Sequence, residues 1–262
     1  MRRHPSFLPT AFLLAFSAVA SGWAADPVPP MPDGLRSLVP ARKEPIWVSA
    51  RRAILPSGKL NPEELPEHSR RTLGQYLLAA REERAKAQKD EPCSLFVGRY
   101  VDNPNPKPAS SLGDLIENSL GIYQGRITGR DLGFLEGSPG TLFRLQVETS
   151  WKSYPGYSDK TLYIFYPVGQ IDLGGETLCS RTPGYAFRPE IGDRLLLFGY
   201  YAPLDTSRAL LFPEAEHLFF EDRQGHLFLP QKLRGDVDLT AARSLSDIAD
   251  ILTARVKKSG AR

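Results

Sequence analysis

Several residue groups in this 262-residue chain are of types that do chemistry. His217 and His226 flank Glu221-Asp222-Arg223-Gln224-Gly225, with Glu214 and Glu216 close in sequence. Two imidazoles and a carboxylate can hold a metal ion, and an imidazole beside a carboxylate is a common general base. A hydrolase using the His217/His226 pair is therefore one reading; strand-end histidines on a solvated hairpin are the other. Glu214/Glu216 and Asp236/Asp238 share an i, i+2 spacing, which on a strand puts both carboxylates on one face. Acid–base work also needs burial or a like neighbour to push one pKa up, and the polar surroundings of these pairs favour surface charges. Gly137-Ser138-Pro139-Gly140 looks like a nucleophile elbow only in part, since Glu136 stands where that motif has Gly and Pro139 speaks for a turn. His68 stands alone near a helix start. The chain has no dinucleotide fingerprint, P-loop or His-Glu-x-x-His motif, and no cofactor is expected.

Aromatic residues offer a different chemistry. Trp151, Tyr154 and Tyr157 surround Pro155-Gly156, and Tyr185, Phe187 and Arg188 follow Pro183-Gly184. Trp, Tyr and Arg supply much of the binding energy at interfaces, so these six form the candidate binding surface for a protein or glycan. The plainer alternative is that the rings cover the ends of a β domain.

The N-terminus reads as an address. Arg2, Arg3 and His4 precede the apolar run Ala11–Ala20 and the small residues around Ala24-Ala25, the three-part pattern of a signal peptide cut after Ala20 or Ala24. Ten helical residues rise about 15 Å against a hydrocarbon core of about 30 Å, so no stable membrane span is expected in the mature chain. The expectation is an exported protein, periplasmic or secreted. Cleavage after Ala24 takes the net charge from +3 to +1, and residues 93–262 carry 19 basic against 20 acidic side chains. Neither value suits a phosphate backbone, and nucleic acid is excluded as an expected partner. Cys93 and Cys179 are the only two cysteines. In an oxidising compartment they are expected to form a disulfide, two buried thiols being the alternative.

Positioning these groups falls to a turn-rich β architecture, as 23 Pro and 22 Gly suggest. Nine prolines in residues 25–66 predict an extended or disordered leader, with Ile46-Trp47-Val48 as a short strand or docking segment. Leu73, Tyr76, Leu77 and Ala80 make one helical stripe. From Cys93 the pattern turns to β. Strands are predicted at Gly121–Ile127, at Phe143–Glu148 with its strict alternation, at Thr161–Tyr166, and at Arg194–Tyr201, apolar throughout and so buried on both faces. Ser111–Glu117 reads as a capped short helix. His217–Phe220 and His226–Leu229 read as a hairpin, and Leu245, Ile248, Ile251 and Leu252 as the inner face of a C-terminal helix capped by Ser244.

The order of Cys93, the strand Gly121–Ile127, Phe143–Glu148 running into Trp151-Lys152, an aromatic strand, Cys179, and Gly192-Asp193 turning into Leu195–Phe198 resembles the netrin-like module shared with tissue inhibitors of metalloproteinases. The resemblance covers about residues 93–201 and implies an OB-type β-barrel. In those inhibitors the first Cys is the mature N-terminus and grips the protease metal; here 68 residues would precede Cys93, so that mechanism does not carry over. The expected fold is mainly β: a signal peptide at 1–24, a Pro-rich leader at 25–60, an amphipathic helix within 61–92, a small OB-like β-barrel at 93–203, and an appended β-hairpin and C-terminal helix at 204–262. The expected function is a non-enzymatic interaction module recognising a protein or glycan through the aromatic loops, the alternative being a secreted hydrolase that uses the surface carboxylates or the His217/His226 pair.

Overall fold

The structure is a computed structural model, and it describes residues 47–86, 94–96, 111–154, 160–173, 176–180, 188–200, 203–204, 209–213 and 215–259. These all belong to the compact unit Glu44–Arg262; the other unit, Met1–Lys43, lies outside the described residues together with the proposed signal peptide and most of the Pro-rich leader.

In chain order the elements are β1 (Trp47–Ser49), α1 (Ala50–Ala53), α2 (Glu67–Lys86), β2 (Ser94–Phe96), α3 (Leu112–Asn118), β3 (Gly121–Leu135), β4 (Ser138–Lys152), β5 (Thr161–Tyr166), β6 (Gly169–Leu173), β7 (Glu176–Ser180), β8 (Arg194–Gly199), β9 (Leu210–Leu211), β10 (Leu218–Glu221), β11 (Leu227–Phe228) and α4 (Leu245–Ser259). Short 3-10 turns lie at Ala215–His217 and Gln231–Leu233. The fold is mainly β. Among the described residues one mixed sheet runs β11-β10-β8-β3-β4-β5-β9, with β1 on the far half of β3, and a second sheet runs β2-β7-β6.

The hairpin β3–β4 is the spine. The sequence predicts strands ending at Ile127 and restarting at Phe143; instead both run on to a two-residue turn at Glu136-Gly137. Both turn residues have positive φ, 50° and 90°, which matches the right-handed twist of the flanking strands. Register shifts between Ile122 and Tyr123, between Gln124 and Gly125, and between Ile127 and Gly129 break the alternation that a sequence pattern needs. The near half of β3 pairs with β8, and the far half pairs with β1.

β8 is buried on both faces, as its unbroken apolar run requires. Leu195 and Leu197 point into a cluster with Tyr123, Ile127, Leu145, Leu162, Ile164 and Phe220. Leu196 and Phe198 point the other way, under α3 and α4, among Leu112, Leu115, Phe219, Leu245, Ile248 and Leu252. α3 is clamped at both ends. The Ser111 hydroxyl and the Asp236 carboxylate accept the amides of Asp114 and Leu112, while the Lys152 ammonium donates to the carbonyls of Ile116 and Ser119. At the tip of the spine, α2 starts at Glu67, after Pro66, and buries Leu73 and Ala80 against Val48, Phe134 and Ile171.

Tyr166 of β5 and Phe220 of β10 lie edge to face with ring centroids 6.3 Å apart. Four inter-strand spacings separate β5 from β10 along the sheet, about 19 Å if it were flat. The sheet is therefore curled until its distant strands touch. The hydrogen-bonded path does not close, however: among the described residues no ladder joins β11 or β9 to a further strand.

Candidate functional site

The six residues of the expected binding surface do not converge. Trp151, at the end of β4, is half-buried against the α3/α4 cluster, and its indole donates to the Thr253 hydroxyl of α4 at 3.0 Å. Tyr154 is 3 % exposed; its amide donates to the Tyr123 hydroxyl at 2.6 Å and its ring stacks on that of Tyr123 at 5.6 Å. The seat for this ring is a cross-strand glycine pair, Gly121 opposite Gly199, where a Cβ on Gly199 would stand 1.7 Å from the Tyr154 hydroxyl. At the other side of the connection, the Lys160 carbonyl accepts from the Val147 amide and the Gln146 side chain. Residues 155–159, Tyr157 among them, lie outside the described residues.

Arg188 belongs to the opposite end. It is exposed and precedes β8, and its guanidinium acts on Tyr166, whose phenol burial pushes well above its ordinary range while Arg188 pulls it back down. Tyr166 is the last residue of β5, paired with Thr141, whereas Trp151 lies ten residues further along β4. Tyr185 and Phe187 lie outside the described residues. Of the aromatic surface, then, two described rings are accounted for by internal packing, and one described residue, Arg188, faces solvent.

The groups that could do catalysis occupy separate places. His217 immediately precedes β10 and His226 immediately precedes β11, so the antiparallel pairing puts them at opposite ends of the hairpin. His217 is buried against Tyr200. His226 is exposed, with Nδ1 2.8 Å from an Asp222 carboxylate oxygen; Asp222 also accepts the amides of Gln224 and His226, closing the turn around Gly225. Asp236 is spent on the amides of Leu112 and Asp238, and Asp238 pairs with Arg255 of α4. The Ser138 hydroxyl meets the Tyr76 hydroxyl at 3.0 Å beside the hairpin turn, the geometry of a helix–turn contact and not of an elbow. His68 Nε2 lies 3.2 Å from the Ser69 hydroxyl. Glu214 and the side chain of Glu216 lie outside the described residues. Among the described residues no three His, Cys, Asp or Glu side chains are placed to hold a metal ion.

Sequence reasoning missed a charged row beneath the start of α4. Arg126 of β3 and Arg194 of β8 face each other across the ladder, a repulsive pairing relieved by Glu148 3.5 Å from each. Glu221 of β10 completes the row: one oxygen accepts from Arg194 at 3.2 Å and the other from the Leu245 amide, at the N-terminus of α4, at 2.6 Å. Asp247, whose carboxyl the Arg243 and Ser244 amides hold below its ordinary range, closes the same helix start. The available signal was position: Arg194 and Glu221 bound apolar runs that must themselves be strands.

In comparisons with known proteins, no family model, no curated protein and no solved structure matches this chain.

Proposed function

We propose that this chain is an exported, non-catalytic interaction module on an OB-like β-barrel, related to the netrin-like modules, that takes a protein or glycan ligand at the end of the sheet where β5 finishes and β8 begins. The observation that carries the reading is the packed interior of the curled sheet. Tyr123, Leu145, Leu162 and Leu197 fill it without measurable exposure, so a ligand has to be met from outside, at a rim or a loop. Arg188 is the exposed member of the expected surface at that rim, next in sequence to Phe187 and near Tyr185. Arg is well suited to such a contact, offering five donors on a planar group. Export and a Cys93–Cys179 disulfide belong to the same reading. β2, which begins one residue after Cys93, pairs in parallel with β7, and Cys179 stands opposite Leu95 in that ladder, so the two cysteines belong to neighbouring strands with a register offset of two.

Capture from an envelope extract and from an immobilised glycan panel, each with the parent chain and Arg188→Glu, tests the proposal. The expected result is at least a tenfold loss of one captured ligand in the variant, with unchanged thermal unfolding. Capture indifferent to Arg188→Glu overturns the placement. Turnover on a hydrolase substrate panel, lost in His226→Gln, overturns the non-catalytic reading.

A further inference from the structure

We propose that His217 is an acid-sensitive latch holding the helical cap, α3 and α4 with the segment that joins β11 to α4, on the outer face of β8. The inference stands apart from the ligand-binding reading and starts from a closed ring of contacts. His217 is 2 % exposed, and its ring lies over that of Tyr200 with centroids 3.9 Å apart. Tyr200, one residue beyond β8, donates its hydroxyl to the Asp114 carbonyl of α3 at 3.4 Å and buries its ring in the cap cluster. The first turn of α3 is held in turn by Asp236, which follows the Gln231–Leu233 turn, and that turn packs against the turn carrying His217. The imidazole thus sits where β8, α3 and the C-terminal segment meet.

What faces it decides its response to acid. From the residue that follows β8 comes the Tyr200 phenol. From α3 comes the backbone carbonyl of Asp114, which accepts from the Tyr200 hydroxyl, and from the Gln231–Leu233 turn come Lys232 and Arg234, both exposed. Both oxygens of Asp236 are taken up by amides. Among the described residues no charged group bears on the ring, and burial alone lowers its pKa from 6.5 to about 4. A cap lifted off β8 exposes the same imidazole to water and takes the proton near 6.5. The open state therefore binds more protons than the closed one between these values. The latch is at full strength above about pH 6.5 and weakens as the pH falls, by roughly 150-fold in the closed-to-open ratio at pH 4 and by up to roughly 300-fold below it. Above pH 6.5 it has no pH dependence.

The two tryptophans within the described residues separate local opening from global unfolding. The Trp151 indole N–H is bonded to Thr253 in the cap, and the Trp47 indole N–H to Asp131 on the far half of β3. In the full chain with ¹⁵N-labelled tryptophan, the Trp151 indole resonance should shift or broaden between pH 6.5 and 5 while that of Trp47 stays in place. In His217→Phe, which keeps the ring stack and cannot be protonated, the Trp151 resonance should stay in place over the same range. Simultaneous loss of both resonances, an unchanged Trp151 resonance in the parent, or a His217→Phe protein that titrates like the parent would each overturn the latch. Where His217→Phe fails to fold at pH 7, His217→Gln gives the same comparison.

Discussion

The Tyr154 ring lies against the backbones of β3 and β8, where a Cβ on Gly121 or Gly199 would collide with it. Tyr154 precedes Pro155-Gly156, which locally reads as a loop tip, yet its ring fills the space left by two glycines 78 positions apart in sequence. No local pattern links Gly121 to Gly199; only the β3–β8 register does. Trp151 repeats the lesson, since its indole partner Thr253 is 102 residues away. Substitution at either ring tests packing and says nothing about ligand contact. Tyr154→Ala empties a buried ring site and should cost about 3–5 kcal/mol in denaturant unfolding. Arg188→Ala, an exposed site, should stay within about 0.5 kcal/mol of the parent. Near-equal effects from the two would contradict the burial assigned to Tyr154.

Among the elements, those whose boundaries are set by neighbours in sequence were legible. The Ser111 cap of α3, the stripe of α4, the alternation of β4 and the double burial of β8 each follow from a few adjacent residues. The far half of the β3–β4 hairpin was not legible although its pairing from Gly129 to Leu135 is regular: Gly129, Asp131 and Gly133 are weak strand formers, and Glu-Gly is a weaker turn signal than Asn-Gly or Asp-Gly. Its tip is nonetheless the point on which α2 rests. Gly137 has φ 90°, and a Cβ there would stand 2.3 Å from the Ser69 carbonyl oxygen of α2. Gly137→Ala combines backbone strain with a clash against main chain, each worth on the order of 1–3 kcal/mol, and should lower the unfolding midpoint clearly. Gly225→Ala gives the contrast: it shares the positive φ, at 86°, but a Cβ there meets nothing within 4 Å, so it should cost the strain alone. The proposed Cys93–Cys179 bond would fasten the three-stranded sheet and the exit of α2 in the same way. It closes 87 residues, about 4–5 kcal/mol in the chain-entropy model. Protein from an oxidising compartment, denatured without reductant and alkylated, should gain no alkyl groups, and two after reduction; two in the unreduced sample would mean the bond is absent.

At the scale of the whole molecule, curvature is the property that a strand-by-strand reading cannot supply. Pattern fixes which face of each strand is apolar, but the twist and the bulges of β3 decide how far the sheet turns. The contact between Tyr166 and Phe220 is the consequence, and it lets an open pairing path enclose a core. It also makes the curl measurable in solution. Edge-to-face rings in contact couple by about 0.5–1.5 kcal/mol in a double-mutant cycle, whereas residues well separated and sharing no partners add independently. Tyr166→Leu, Phe220→Leu and the double variant keep apolar bulk at both positions and remove only the ring pair. The Tyr166 hydroxyl also disappears, so Tyr166→Phe serves as a reference and should preserve most of the coupling. A curled sheet predicts that the double variant is less destabilised than the sum of the single ones by that amount. Strict additivity would place the two strands apart, return the sheet to an open layer and remove the packed interior on which an external binding rim depends.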